Sequence, residues 1–307
     1  MRGYPGLTFF RQARTAPVPL HGVVGLVLIA VSWPASWLHA GSLGENAFFP
    51  LWLGYILTVD ALVLRRKGNS LFTRGPWAFW GMFLLAAPLW WAFEGINHFT
   101  QNWHFLGAEE YSTLRYVVVA TWHFTIVIPA VFETAELIGS FGFMRRLGRG
   151  PALPASRWFL AATVLAGLIT FGSLILWPRY AFPFTWACFI LVLDPVNYLR
   201  GRPSIGARLR DGDWRLVLAL GLGPLVCGWF WEMWNYWAHL KWEYTIPFVD
   251  FARVFEMPVL GYGGYLPFGL ETYAVYHFVT ALVGRPDGGY VQIIPPEVEG
   301  SHQGSPV

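Results

Sequence analysis

Apolar residues fall in long runs along nearly the whole chain, separated by short stretches rich in arginine, glycine and proline. The runs lie near 22–41, 48–64, 77–98, 116–141, 158–177, 182–199, 214–238 and 266–283. A helix needs about 20 residues to cross roughly 30 Å of hydrocarbon, so each run is a candidate span. The pattern predicts an all-α integral membrane protein of about eight transmembrane helices. Composition points the same way, since 55% hydrophobic and 13% charged residues are far from the balance of a soluble domain.

The basic residues orient these spans. Arg2, Arg11 and Arg14, then Arg65, Arg66, Lys67 and Arg74, then Arg145, Arg146, Arg149 and Arg157, then Arg200, Arg202, Arg208, Arg210 and Arg215, and finally Arg285 share one side of an eight-helix layout. Of the 21 basic residues only Arg115, Arg179, Lys241 and Arg253 fall elsewhere. Cytoplasmic loops carry the excess of Lys and Arg, so both termini are expected in the cytoplasm, with the bacterial cytoplasmic membrane as the location. The net charge of +3 is then a topology signal and gives no support to nucleic-acid binding. The first run resembles a signal peptide, but a counterpart at 158–177 identifies it as a retained helix. Cys188 and Cys227 fall inside predicted spans and are expected as buried thiols. The stretch 285–307 lacks periodicity and is expected to be a disordered cytoplasmic tail.

The chain repeats itself. Phe49-Pro50, Trp52, Asp60, Arg66 and Ser70 recur as Phe182-Pro183, Trp186, Asp194, Arg200 and Ser204. Pro88, Trp91, Glu94, Asn97, Trp103 and Phe105 recur as Pro224, Trp229, Glu232, Asn235, Trp242 and Tyr244. Pro129, Glu133 and Thr134 recur as Pro267, Glu271 and Thr272. The expected organisation is an N-terminal segment 1–21, a first four-helix unit 22–145, a linker 146–157, a second four-helix unit 158–284, and the tail. Four helices per unit is even, so the two units enter the membrane in the same direction and form parallel repeats.

Carboxylates inside apolar runs are the candidate chemistry, because an ionisable group in a span costs at least about 2.5 kcal/mol and usually faces the bundle interior. Glu94, Glu133, Glu232 and Glu271 fit this description. They are read as one catalytic site at the interface of the repeats, since a carboxyl group in a low dielectric can hold and donate a proton. The plainer alternative is helix packing through bonds to Asn97, Asn235, Thr134 and Thr272. Asn97, Asn235, Trp91, Trp229, Trp103 and Trp242 are the candidate substrate contacts, their aromatic faces suited to stabilising a cation on an apolar substrate. Many other Trp and Tyr are expected in an interfacial belt. Asp60 with Arg66, and Asp194 with Arg200, are expected as structural ion pairs at helix ends. A metal site on Glu94, His98, Glu133 and Glu136 is a weaker alternative, because the spacing that recurs is Glu-x-x-Asn and the histidines do not recur.

Together the Phe-Pro helix starts, the Glu94-Asn97 and Glu232-Asn235 phrases, the Trp103-His-Phe105 and Trp242-Glu-Tyr244 triplets, and the Pro129-to-Glu133 and Pro267-to-Glu271 motifs resemble the integral-membrane lycopene cyclase domain. They cover about two thirds of the chain. Here one acid follows four residues after each proline, where that family has a pair of acids almost directly after it, and each half carries an extra leading helix. The resemblance implies acid-base, redox-neutral cyclisation of an isoprenoid-like polyene, with no cofactor required for those steps and a reduced flavin as an option. Membrane lipids and an apolar substrate are the implied partners. A transporter or hydrophobic-ligand binding protein is the alternative without chemistry, and a carboxylate-and-histidine metal enzyme is a further one.

Overall fold

The computed structural model describes residues 17–284 and 291–293. Arg2, Arg11, Arg14 and Arg285, with nearly all of the expected tail, lie outside the described residues. The rest is mostly helical. In chain order the long elements are α1 (Leu20–Trp37), α2 (Phe48–Lys67), α3 (Pro76–Thr100), α4 (Thr113–Phe124), α5 (Val127–Gly139), α6 (Arg157–Leu176), α7 (Cys188–Leu199), α8 (Arg215–Tyr236) and α9 (Tyr265–Leu282).

Among the described residues, six spans are long and apolar enough to cross a membrane, with Thr113–Gly139 counted as one. A seventh results if Pro178–Trp186 and Cys188–Leu199, bent by 41°, form one broken span. The run at 266–283 does fold as a helix, α9, but it is not among those six. Glu271, Thr272, His277 and Thr280 dilute its apolar character.

Two of the apolar runs break beside prolines, although Pro34, Pro88, Pro195 and Pro224 lie inside continuous helices. Pro129 has no N–H to give to the carbonyl of Thr125, and its ring crowds that carbonyl. The fourth run accordingly breaks at Thr125 and Ile126, between α4 and α5. Just before and at the start of the sixth run, Pro178 and Pro183 fall at the openings of two short helical turns, Pro178–Ala181 and Phe182–Trp186, and regular helix resumes only at Cys188. No comparable break interrupts α2, which runs unbroken through Pro50 near its start.

Close helix contacts use small residues, as expected where lipid supplies no hydrophobic drive between helices. A Cβ on Gly25 of α1 would lie 2.6 Å from the carbonyl oxygen of Gly54, and one on Gly54 of α2 would lie 2.7 Å from that of Gly25. Larger residues at either position would push these backbones apart. The core is aromatic: Trp52 on α2 packs 4.7 Å from Trp231 and 5.0 Å from Trp234 on α8. Trp186, just before α7, packs 5.3 Å from Phe93 on α3. Both thiols are free and buried.

After α3 and after α8 the chain leaves the helical layer as two short strands, β1 (Trp103–Leu106) and β2 (Lys241–Tyr244). They pair antiparallel, with Trp103 opposite Tyr244 and Phe105 opposite Trp242. Their ends are tied down by two asparagines. Asn97 donates to the carbonyl of Trp103 at 2.8 Å and accepts from the backbone N–H groups of Asn102 and Trp103. Asn235 donates to the carbonyl of Trp242 at 2.7 Å and accepts from its N–H at 2.8 Å. Each amide satisfies backbone groups where a helix stops and a strand begins.

Candidate functional site: an aromatic cavity between two carboxylates

Beneath the β1–β2 ribbon lies a cavity of about 420 Å³. Its walls come from both halves of the chain: Trp90 and Trp103 on one side, Trp231, Tyr244 and Tyr265 on another, with Trp186 and Phe268 between. Trp103 and Trp186 stack at 5.9 Å, and Phe268 meets Trp186 edge-on at 5.5 Å. The lining is almost wholly apolar, with Asn102, His123 and the Tyr and Trp polar atoms as its hydrogen-bonding groups. Size and lining suit a small apolar ligand or the end of a longer one.

Behind this wall stand two carboxyl groups held alike. One oxygen of Glu94 accepts from the indole N–H of Trp90 at 2.8 Å and from that of Trp103 at 2.9 Å. One oxygen of Glu232 accepts from the phenols of Tyr244 at 2.7 Å and Tyr265 at 2.8 Å. All four donors line the cavity. The Trp242 indole donates to the Tyr244 oxygen at 2.8 Å, so a chain of donors runs from the ribbon to Glu232. Burial, and then the adjacent Glu232, push the Tyr244 phenol well above its ordinary pKa, which keeps it a donor. Glu232 is fully buried, and its second oxygen has no partner among the described residues.

The two donor sets are built by a complementary exchange. Trp90 stands four residues before Glu94, one helical turn, so its indole reaches the carboxylate directly. Four residues before Glu232 stands Gly228, where a Cβ would lie 2.3 Å from the Tyr265 ring. Tyr265 fills the vacated space and donates instead. Its counterpart, two residues before the other proline, is Val127.

The four acids expected in one site do not share one. Glu271 lies one turn along α9 from the lining residues Pro267 and Phe268, but it accepts from the N–H of Phe189 at 2.7 Å. It caps the N-terminus of α7, which the break at Ala187 leaves without intrahelical acceptors. Glu133, fully buried in α5, faces Asp60, Glu136 and Arg74 at the arginine-rich end of the bundle. The cavity is at the other end.

Trp103 and Trp242 line the cavity, whereas Trp91 and Trp229 do not. Trp91 bonds Thr121 at 2.9 Å, and Trp229 is 47% exposed beside Phe255. One residue along a helix is about 100° around it and two are about 200°, so Trp90 faces the cavity where Trp91 does not, and Trp231 where Trp229 does not. Asn97 and Asn235 shape the ribbon and are not in the wall.

The expected ion pairs are also replaced. Asp60 accepts from the Ser70 hydroxyl at 2.9 Å and the Phe72 N–H at 3.0 Å, while Arg66 donates to Ser140 at 2.7 Å. Asp194 accepts from the N–H groups of Ile205 at 2.7 Å and Gly206 at 2.8 Å, and Arg200 is exposed. Residues six apart on a helix do not share a face, so each Asp turns to the short helix that follows and caps it.

Glu94 and His98 are not brought to Glu133 and Glu136. Glu136 is bound by Lys67 and Arg74, and among the described residues no group of three or more His, Cys, Asp or Glu is arranged to hold a metal. The cavity lining includes no Lys or Arg to meet a flavin phosphate, so the residues present do not fit that cofactor.

Sequence reasoning missed Trp90, Trp231, Tyr265, Phe268, His123 and Asn102. Helical spacing from Glu94 could have found Trp90, but nothing local singles out Tyr265. No family model, no curated protein and no solved structure matches this chain.

Proposed function

We propose that this protein is a membrane-embedded enzyme performing acid-base, cyclase-like chemistry on an apolar, isoprenoid-like polyene. The carrying observation is the aromatic cavity with a carboxyl group bonded behind each side of its wall. In this reading Glu232, whose second oxygen has no competing bond among the described residues, supplies a proton to a terminal carbon–carbon double bond. The next double bond attacks the resulting cation to close a ring, with Trp103, Trp186 and Trp231 stabilising positive charge through their faces. A proton lost from the carbon beside the new cation passes to a carboxylate, with Glu94 the candidate. Atoms balance, and the product is an isomer.

The site belongs to a larger proposed architecture: eight spans in two parallel four-helix repeats, termini in the cytoplasm, and a pseudo-two-fold axis through the ribbon. The register supports it, because exchanging the halves maps the Trp103–Tyr244 pair onto the Trp242–Phe105 pair. Trp52 against Trp231 and Trp186 against Phe93 are related in the same way.

One observation favours a second reading, a binding or transport protein without chemistry: neither carboxyl group is itself part of the cavity wall. Expression in cells that accumulate a linear polyene separates the two. The enzyme yields a cyclic isomer of unchanged mass, and Glu232→Gln lowers its formation by about 100-fold or more, the usual scale for loss of a general acid. Copurification of unchanged polyene with parent and variant alike would refute the enzyme and leave the carrier.

A further inference from the structure

At the arginine-rich end, away from the cavity, lies a second group of buried acids that the proposed chemistry does not use. Asp60, Glu133 and Glu136 are all fully buried. Their surroundings are unequal. Glu136 holds both nearby cations, accepting from Lys67 at 2.7 Å and from two guanidinium nitrogens of Arg74 at 2.7 Å each. Asp60 has the Ser70 hydroxyl and the Phe72 N–H, and the His21 imidazole lies 3.0 Å away. Glu133 is hydrogen-bonded by neither a cation nor a neutral donor: both of its oxygens are without a hydrogen-bond partner among the described residues. Besides these three acids, the titratable groups facing it are Arg74, Lys67 and the Tyr55 phenol, and that phenol is bonded to Thr134 at 2.9 Å.

A fully buried carboxylate with no donor is strongly disfavoured, and a second carboxylate beside it adds repulsion. A proton removes both problems, because a carboxylic acid can donate to a carboxylate that still has free lone pairs, as Asp60 does. Access comes from one side. The His21 side chain, at the start of α1, is 18% exposed and sets its Nε2 3.0 Å from Asp60, so it links that acid to solvent.

We propose that Glu133 and Asp60 form a proton-binding site inside the bundle, holding one exchangeable proton between them and loaded through His21 from the arginine-rich end. The proton moves from solvent to the imidazole, from the imidazolium to Asp60, and from Asp60 to Glu133, with no other group consumed. This site is independent of the cavity and of any chemistry there.

Infrared spectroscopy of the purified full-length protein tests it, read as the difference between parent and variant after transfer to heavy water. The parent should show a protonated-carboxyl band at neutral pH that shifts on deuteration and is absent from Glu133→Gln. In His21→Ala the band should persist, with deuteration slowed about tenfold or more. Asp60→Asn should displace the band, and this serves if Glu133→Gln does not fold. A parent spectrum identical to that of Glu133→Gln in this region would overturn the site, since Glu133 would then be ionised and satisfied by water. Unchanged exchange in His21→Ala would overturn the loading route.

Discussion

Glu133 and Glu271 stand at the same place relative to a proline, four residues after it and followed by Thr, yet the two halves use them in opposite ways. In the second half the segment facing Glu271 is broken by Pro178 and Pro183, so α7 starts late and offers a free N–H that the acid caps. In the first half the corresponding helix, α2, is continuous, its N–H groups are taken by its own carbonyls, and Glu133 has no donor among the described residues. The fate of a buried acid is therefore decided by the backbone opposite it, not by the acid's own motif. Glu94 and Glu232 show the converse. Different residues, two Trp in one case and two Tyr in the other, give both carboxylates a pair of aromatic donors.

The largest effect is expected from transplanting one half's donor arrangement into the other. Gly228→Trp places a side chain where even a Cβ meets Tyr265 at 2.3 Å, and it should destabilise the protein by about 3 kcal/mol or more, the upper range for overpacking. Adding Tyr265→Val reproduces the first half's pair and should recover much of that loss in thermal unfolding. A double variant no better than the single one would show that the two donor sets are not interchangeable.

A smaller effect, unequal in the two halves, separates the two acids. Glu271→Leu strips the cap from α7 and leaves the Phe189 N–H unsatisfied, with an expected cost of about 1–3 kcal/mol. Glu133→Leu removes a carboxyl that accepts no hydrogen bond among the described residues and should be neutral or stabilising. Equal destabilisation by both substitutions, read from the shift in unfolding midpoint, would refute the asymmetry.

The smallest difference is expected at the asparagines. Asn97→Ala and Asn235→Ala each unclamp one end of the ribbon at an expected cost of about 1–2 kcal/mol. Tryptophan fluorescence should report loosening of Trp103 in the first and Trp242 in the second. Loss at one position without the other would mean that the ribbon hangs from a single half.

Much of this was legible in the chain. Long apolar runs locate the helices, because a span must satisfy its own backbone over a fixed thickness and so leaves a length signature. The break between α4 and α5 was readable from Pro129, which removes a hydrogen bond wherever it stands. Glu94 and Glu232 could be singled out with Asn97, Asn235, Trp103 and Trp242, since a fixed spacing across a helix end is local information. Only the tertiary structure decided that Trp90 and not Trp91 faces the cavity, that Tyr265 fills the space left by Gly228, and that Asp60 caps a helix while Arg66 turns to Ser140. It also decided that Glu133 and Glu271 part company with the other two acids. The reason is physical: spacing fixes which residues can share a helix face, but a buried polar group is satisfied by whatever donor the neighbouring element leaves free, and that depends on segments far away in the chain.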